Sequence, residues 1–402
     1  MKILFLAHLF PLPLDSGGKI KSYHTLKALA AEHQVHLLTF TRHDNELDYL
    51  PDLVQICHGI DTVPLTRSRV ASVTGFAGSV LQSSSFIIGR DYRMHMLERL
   101  QSVVNRFSPD VIHIDHLQMM PYVDLEGPYL TVLDQHNVES AIIRRIAQSS
   151  SSIPTRFAAR IEWPKLEAFE IIACRSCDMV ITVSEEDKSA ILSLDPTIRN
   201  IHAVPIGVDI DYFLPIDTLP GSHNILTIGT MYWPPNVDSV IYFYKEIFPL
   251  IREKAPDCTL TIAGQRPASP IKALSADPAV SVTGYLDDIR DICRQCGVFI
   301  VPLRSGSGVR VKILNAMAMA LPIVTTSVGA EGLEVESGRH LLIADTPQDF
   351  ANAVTDVLTD SKLADSLGRR ARQLACEKYS WSIIEKQLLG IYSEHLGRRP
   401  RK

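Results

Sequence analysis

The chain has 402 residues, 46% of them hydrophobic and 21% charged, with a net charge of −5. That length is too great for one ordinary core and suits two domains, and the composition is that of a folded globular protein rather than a disordered one. The acidic balance argues against a nucleic-acid partner, and seven scattered cysteines, an odd number, argue against a secreted disulfide framework.

The opening MKILFLAHLF reads as a buried first strand; it runs into PLPLDSGGK with no small-residue cleavage site, so a signal peptide is not expected. GGKIKSYHTLKALAAE follows as a glycine turn leading into a helix, and VHLLTF as the next strand. Val70 to Gly89 carries no charge, but Ser72, Thr74, Ser79, Gln82, Ser83, Ser84 and Ser85 make it too polar to cross a membrane. DVIHID, YLTVLDQH and DMVITVS are further strands. Between Ala141 and Lys165 five cations (Arg144, Arg145, Arg156, Arg160, Lys165) stand against Glu162 alone, with apolar residues interleaved. Such a stretch suits peripheral contact with an anionic membrane, or a solvated helix face. The expected location is the cytoplasm, including the inner face of the membrane.

From residue 205 the proline- and glycine-rich VPIGVDIDYFLPIDTLPGSHN reads as a linker. A second alternation follows: NILTIGT, a helix over NVDSVIYFYKEIFPLIREKA, then CTLTIAG, VSVTGY, VFIVPL and PIVTTS as strands. SWSIIEKQLLGIYSEHL is a closing amphipathic helix and GRRPRK a basic tail. Strands alternating with helices imply parallel sheets covered by helices, so the fold class is α/β with two doubly wound, Rossmann-like domains. In such sheets ligands bind beyond the carboxyl ends of the strands. Cys174 and Cys177, and Cys293 and Cys296, form two CxxC pairs. Each pair precedes a strand, in different domains, and reads as core rather than as half of a zinc site.

Three loops carry candidate chemistry. Gly17 and Gly18 follow the first strand and open a helix, where backbone N–H groups can approach an anion or a sugar. LDQHNVES places Asp134, His136, Asn137 and Glu139 at a strand end, with His136 able to bond a substrate hydroxyl. His113 and His116 are weaker examples of the same kind. In RSGSGVRVKILN, Ser307 and Gly308 lie in a turn, Arg310 and Lys312 follow, and a helix begins. Backbone donors, a helix dipole and two cations then converge, which is the makeup of a phosphate site. The DID at 209–211 imitates a metal-binding DxD but lies in the linker.

Together these pieces resemble the retaining glycosyltransferases of family 4, which have the GT-B fold. The resemblance rests on GG after the first strand, QHN, VITVSE, VPIGVDIDYF, VTGYLDDIRDI and PLRSGSGVRVKILNAMAMALPIVTTSVGAEGL, the last two being specific in combination. Residues 1 to 45 also look like a bacterial branch associated with exosortase and exopolysaccharide systems. The resemblance implies two Rossmann-like domains facing a cleft. Residues 1–205 would hold the acceptor, with 382–402 packing back on them, and 206–381 would hold a nucleoside-diphosphate sugar donor. The acceptor would be a glycan, a lipid-linked molecule or a small molecule, and neither a cofactor nor a metal would be required. Gly17 and Gly18 would lie near the donor phosphates or sugar, and His136 near the transferred sugar. Gly284 and Tyr285 would border the nucleobase, Arg310 and Lys312 the diphosphate, and Glu331 the sugar.

Two positions depart from the family. It often carries two glutamates seven residues apart, where this chain has Ser307 and Asn315, and the second glutamate usually grips the ribose hydroxyls. Asn315 therefore also suits a catalytically inactive binding protein that has kept the fold. An epimerase or a phosphorylase of the same fold is a third reading, and no lysine-bound pyridoxal pattern supports a phosphorylase.

Overall fold

The computed structural model describes residues 1–67, 84–149, 152–219, 221–306 and 308–395. Ser307, most of the uncharged stretch from Val70 and the basic tail lie outside them. The chain divides into two compact units, Met1–Ile206 with Glu385–Lys402, and Gly207–Ile384.

The first unit is built on seven parallel strands: β1 (Lys2–Ala7), β2 (Gln34–Thr41), β3 (Gly59–Pro64), β4 (Val111–Asp115), β5 (Leu130–Gln135), β6 (Met179–Thr182) and β7 (Ile201–Ala203). Their order is β3-β2-β1-β4-β5-β6-β7, so the winding reverses between β1 and β4. The central strands are buried on both faces because helices cover them: all five residues of β4 and all six of β5 are buried, polar ones included. Three helices matter to the site: α1 (Gly17–Glu32), α2 (Glu139–Ser149) and α3 (Ile153–Ser176).

The second unit repeats the plan with β8 (Asn224–Ile228), β9 (Thr259–Ala263), β10 (Val280–Gly284), β11 (Val298–Val301), β12 (Ile323–Thr325) and β13 (Leu342–Ile343), in the order β10-β9-β8-β11-β12-β13. Its winding reverses between β8 and β11. Helix α4 (Pro234–Tyr242) follows β8, α5 (Val311–Ala318) follows β11 and α6 (Ser327–Ala330) follows β12. The last helix, α7 (Trp381–His395), returns the chain to the first unit, where Tyr392 is fully buried and Gln387 Nε2 donates to Ala203 O at 2.8 Å.

Three strands escape the sequence reading: β3, β7 and β13. Each lies at a sheet edge and carries half-buried positions, so the apolar pattern fades. The long helix expected after β8 is interrupted by a π-helical turn at Phe243–Ile247. Pro249, just beyond, has no N–H and crowds the carbonyl of Lys245, and an extra residue in the turn relieves both. The expected linker is tied to the second unit rather than loose. Arg372 donates to Phe213 O at 2.8 Å and Ile210 O at 3.0 Å, and Ile216 N donates to Met319 O at 3.0 Å. In its DID run, Asp209 Oδ1 accepts from the backbone of Asp211 and Tyr212, which makes it a turn-capping side chain. The CxxC cysteines pack in the two cores, and burial pushes the Cys174 and Cys293 thiols up to about 12.

Candidate active site

In the first unit the polar residues gather where β4 and β5 end. Both oxygens of Asp115 are engaged. Oδ2 accepts from Ser22 Oγ at 2.7 Å and His116 Nδ1 at 3.0 Å, and Oδ1 accepts from His136 Nε2 at 2.8 Å. Burial works to raise the Asp115 carboxyl, but the positive charge that the His136–His116 pair can carry and the hydrogen bonds from both rings outweigh it and hold it well below the usual range. The two imidazoles, with ring centroids 3.8 Å apart, cannot both be charged. At His116 burial is overcome by the Asp115 charge and the pKa is raised; at His136 burial, reinforced by the His116 charge, pushes it down to about 4.

A neutral His136 that donates from Nε2 keeps its lone pair on Nδ1. That atom is buried and has no hydrogen-bond partner among the described residues. It can accept a hydrogen bond from a ligand hydroxyl. Helix α1 runs close beside it: a Cβ at Gly18 would lie 3.5 Å from His116 Nε2 and 3.8 Å from His136 Nδ1. Gly17 begins α1, with Ser16 as its N-cap. His116 itself has φ of +80°, an unusual backbone for a residue with a side chain, and this aims its ring from the strand end. Ligand-type atoms of Asp115, His116 and His136 lie within 4.8 Å of one another.

The sequence grouped Asp134 and Glu139 with His136, and both carboxylates act electrostatically on the histidine pair, Asp134 on His136 and His116 and Glu139 on His116. Asp134 forms a buried ion pair with Lys21 of α1 and lies 3.6 Å from His113 Nε2. His113 shares a 2.6 Å hydrogen bond with the Tyr392 hydroxyl and stacks on Phe5, which makes it a packing residue. The Glu139 backbone N–H donates to Glu170 at 2.8 Å, so Glu170 holds the start of α2.

In the second unit the candidate residues lie at the carboxyl ends of β10, β11 and β12. Gly306 (φ +140°) and Gly308 (φ +73°) occupy conformations that side chains resist, so the loop can turn tightly before α5. Arg310 is the N-cap residue of α5. Its guanidinium folds over Gly306, donates to Gly308 O at 2.7 Å and lies 4.0 Å from Glu331, the C-cap residue just after α6. Lys312, in the first turn of α5, reaches across to the end of β8 and donates to Asn236 Oδ1 at 3.1 Å. A Cβ on Gly229 would meet Lys312 Nζ at 2.8 Å, so the ammonium sits against bare backbone. Burial first, and then the Arg310 charge, push Lys312 down to about 7.

Neighbouring strand ends are stitched together: Gly229 N donates to Ala263 O at 3.0 Å, and Gly264 N to Gly284 O at 2.8 Å. Gly284 and Tyr285 thus stand two strands along the same edge from Lys312, and the Tyr285 ring is 69% exposed. Asn315 is half-buried one turn beyond Lys312, with no side-chain hydrogen bond among the described residues. Arg310, Lys312, Gly308 and Glu331 come together, and Tyr285 stands apart from them. Sequence reasoning missed Asn236, Gly229 and Asp115. The available signal for Asn236 was a polar residue in the first turn of a proline-started helix beyond a strand next to the winding reversal.

The model of the Glycosyltransferase Family 4 domain matches residues 22–212, and that of Glycosyl transferases group 1 matches residues 222–360. The chain belongs to the family 4, group 1 glycosyltransferases. Among curated relatives of this family 4 chain is the phosphatidyl-myo-inositol mannosyltransferase of Mycobacterium bovis, 25% identical over 207 residues, which are 48% of this chain and 54% of the relative. The chain spans between about a third and about half of the length of the curated relatives it matches first. Among solved structures, the sucrose-phosphate synthase of Thermosynechococcus elongatus aligns over 99% of this chain and 100% of its own with a TM-score of 0.70 at 16% identity. HepE of Anabaena, in complex with UDP and glucose, aligns over 98% and 100% with a TM-score of 0.66 at 13% identity. These likenesses show that the family 4 chain has the GT-B fold, two parallel sheets with helices.

Proposed function

We propose that the chain is a retaining glycosyltransferase, moving a sugar from a nucleoside-diphosphate sugar to an acceptor hydroxyl in bacterial glycoconjugate or exopolysaccharide synthesis. The observation that carries this reading is the convergence of Arg310 and Lys312 on the carboxyl end of the second sheet, beside backbone that glycines leave bare. The second unit then binds the donor, with Gly308 and the neighbouring backbone on the diphosphate, Tyr285 and Gly284 toward the base, Asn315 toward the ribose and Glu331 toward the sugar. The first unit binds the acceptor, and His136 Nδ1 accepts a hydrogen bond from a hydroxyl of the transferred sugar, with Gly17 and Gly18 as its close backbone neighbours.

In the reaction the bond from the anomeric carbon to the diphosphate oxygen breaks, and the acceptor oxygen bonds to that carbon on the same face. The acceptor proton passes to the departing phosphate oxygen. A unit charge pair at ~4 Å is worth about 4 kcal/mol at an effective dielectric near 20, so two fixed cations stabilise the leaving diphosphate strongly. They supply what a divalent ion would otherwise supply, and the reading requires no metal. No described helix is long and apolar enough to cross a membrane; we place the enzyme in the cytoplasm, in peripheral contact with the inner membrane face. Asn315 favours a second reading, an inactive nucleotide-sugar-binding protein.

Incubation of the full chain with a panel of nucleotide sugars, reading free nucleotide and product mass, separates the two. Turnover with products of retained configuration supports the enzyme, and binding without nucleotide release supports the second reading. Replacement of Arg310 or Lys312 by alanine should lower kcat/KM about 10²-fold, and normal kinetics in both would remove the phosphate assignment.

A further inference from the structure

On the other side of the first unit's winding reversal, the ends of β1, β2 and β3 carry a second polar cluster. His8 follows β1, Arg42 follows β2, and Arg67 lies three residues beyond β3, with Arg90 and Asp91 packed against them. Asp91 is almost fully buried and is spent: Arg67 Nε donates to Oδ1 at 2.8 Å, Arg67 Nη2 to Oδ2 at 2.5 Å, and His8 Nε2 to Oδ2 at 3.1 Å. Arg90 Nε stands 3.6 Å from the same oxygen. Glu46 is spent too. Its Oε2 accepts from the backbone N–H of Arg42 at 2.7 Å, and its Oε1 lies 3.6 Å from Lys19 Nζ.

Arg42 is the residue left over. Its guanidinium approaches both nitrogens of the His8 ring, at 3.3 and 3.5 Å, and one atom cannot make good in-plane bonds to both. Its Nε is buried with no hydrogen-bond partner, and no carboxylate of the described residues lies within ion-pair distance of it. His8 cannot neutralise it, because an imidazole is either neutral or cationic; burial pushes this one down to about 4 and leaves it a neutral neighbour. A half-buried guanidinium with an unsatisfied N–H, beside two further arginines, is costly until an anion arrives. The cluster adjoins the histidine pair, since the His8 and His116 rings are 5.9 Å apart.

We propose that Arg42, with Arg67 and Arg90 beside it, receives a phosphate group carried by the acceptor, so that the acceptor is a phosphorylated molecule rather than a neutral sugar. This rests on the reading of the first unit as the acceptor unit. A tetrahedral oxyanion can take donors from three elements at once, whereas a carboxylate is filled by one guanidinium fork, as Asp91 is by Arg67. The phosphate belongs either to a lipid or to a soluble phosphorylated compound, and the chemistry of recognition is the same.

The test is calorimetric titration of inorganic phosphate into the full-length Arg310→Gln chain, which removes one of the two cations proposed for the donor diphosphate. Saturable binding is expected, weakened about tenfold by adding Arg42→Gln and about threefold by adding Arg90→Gln, which alters a side chain 37% exposed and leaves the Arg67–Asp91 fork in place. Phosphate binding indifferent to both changes in chains with unaltered thermal melts overturns the proposal. Competition then names the source: a soluble hexose 6-phosphate displaces inorganic phosphate if the acceptor is soluble, and phosphatidylcholine vesicles containing phosphatidic acid do so if it is lipid-borne. Displacement by neither overturns the assignment to the acceptor. Binding of UDP, ADP and GDP by the unaltered chain is measured alongside. Binding of none of UDP, ADP and GDP, with Arg42-dependent phosphate binding, sinks the donor reading alone, and the reverse pattern sinks this inference alone.

Discussion

His136 donates from Nε2 to Asp115 Oδ1 across 2.8 Å, and this one bond makes the opposite ring nitrogen an acceptor. Asp115→Asn cannot accept protons from both histidines, because its amide nitrogen must face one of them. His136 should then lose its fixed tautomer, and kcat/KM should fall roughly 10²-fold, as for loss of a group that orients another. Nitrogen-15 chemical shifts of the imidazoles check the cause. A variant with the wild-type tautomer and wild-type rate would show that the bond does not set the ring's role.

Lys312 brings a pH dependence. Its folded pKa, about 7, lies below that of a lysine in an unfolded chain, ~10.4. The unfolded state therefore binds more protons between those values, and this group's contribution to stability rises as the pH rises from about 7 toward 10. Diphosphate binding has the opposite sign, since the anion favours the charged ammonium. UDP affinity should fall as pH rises above about 7, with net proton uptake on binding. Titration calorimetry in two buffers of different ionisation enthalpy measures that uptake, and Lys312→Arg should abolish it. Proton-neutral binding by the wild-type chain at pH 8 would place the ammonium away from the diphosphate.

Asn315 lies one turn beyond Lys312 on α5, so the two share a face. A glutamate there offers a charged acceptor to a ribose diol, and charge-assisted bonds are roughly twice as strong as neutral ones. Asn315→Glu should tighten donor binding about tenfold, equivalent to ~1.4 kcal/mol, without altering the fold. Unchanged or weaker binding of the true donor would mean that Asn315 does not hold the ribose.

Gly264 has φ of +149°, and a Cβ there would lie 1.7 Å from Gly229 O. Gly264→Ala must push apart the strand ends that seat Lys312, at an expected cost of ~2–4 kcal/mol. Gly221, at φ +69° with open space around it, is the control, and alanine there should cost only ~1–2 kcal/mol. Equal thermal shifts in the two variants would remove the steric argument.

Helix α3 presents Ile153, 70% exposed, and Phe157, 65% exposed, four residues apart. Arg156 and Arg160 follow on the same turns, and Arg144 of α2 lies 5.0 Å over the Trp163 ring. Weak binding to anionic vesicles is expected, lost at high salt and reduced by Phe157→Ser. Equal sedimentation with anionic and neutral vesicles would speak against it.

The sequence by itself determined the strand–helix alternation, the two winding units and the loop of Arg310 and Lys312. Each of these is written in residues close together along the chain, where strand and helix periods and glycine turns act locally. It marked His136 as well, because a histidine ending an apolar strand stands out. Only the tertiary structure decided what His136 is bonded to, and therefore which of its nitrogens can accept. It alone brought Asn236 to Lys312 across 76 positions and Arg67 to Asp91 across 24. Such pairs leave no spacing rule in a single sequence, since their distance is set by which strands become neighbours. Burial completes the division. Whether an arginine, lysine or histidine is charged, paired or left waiting depends on how much water the fold removes from it, and no stretch of sequence records that.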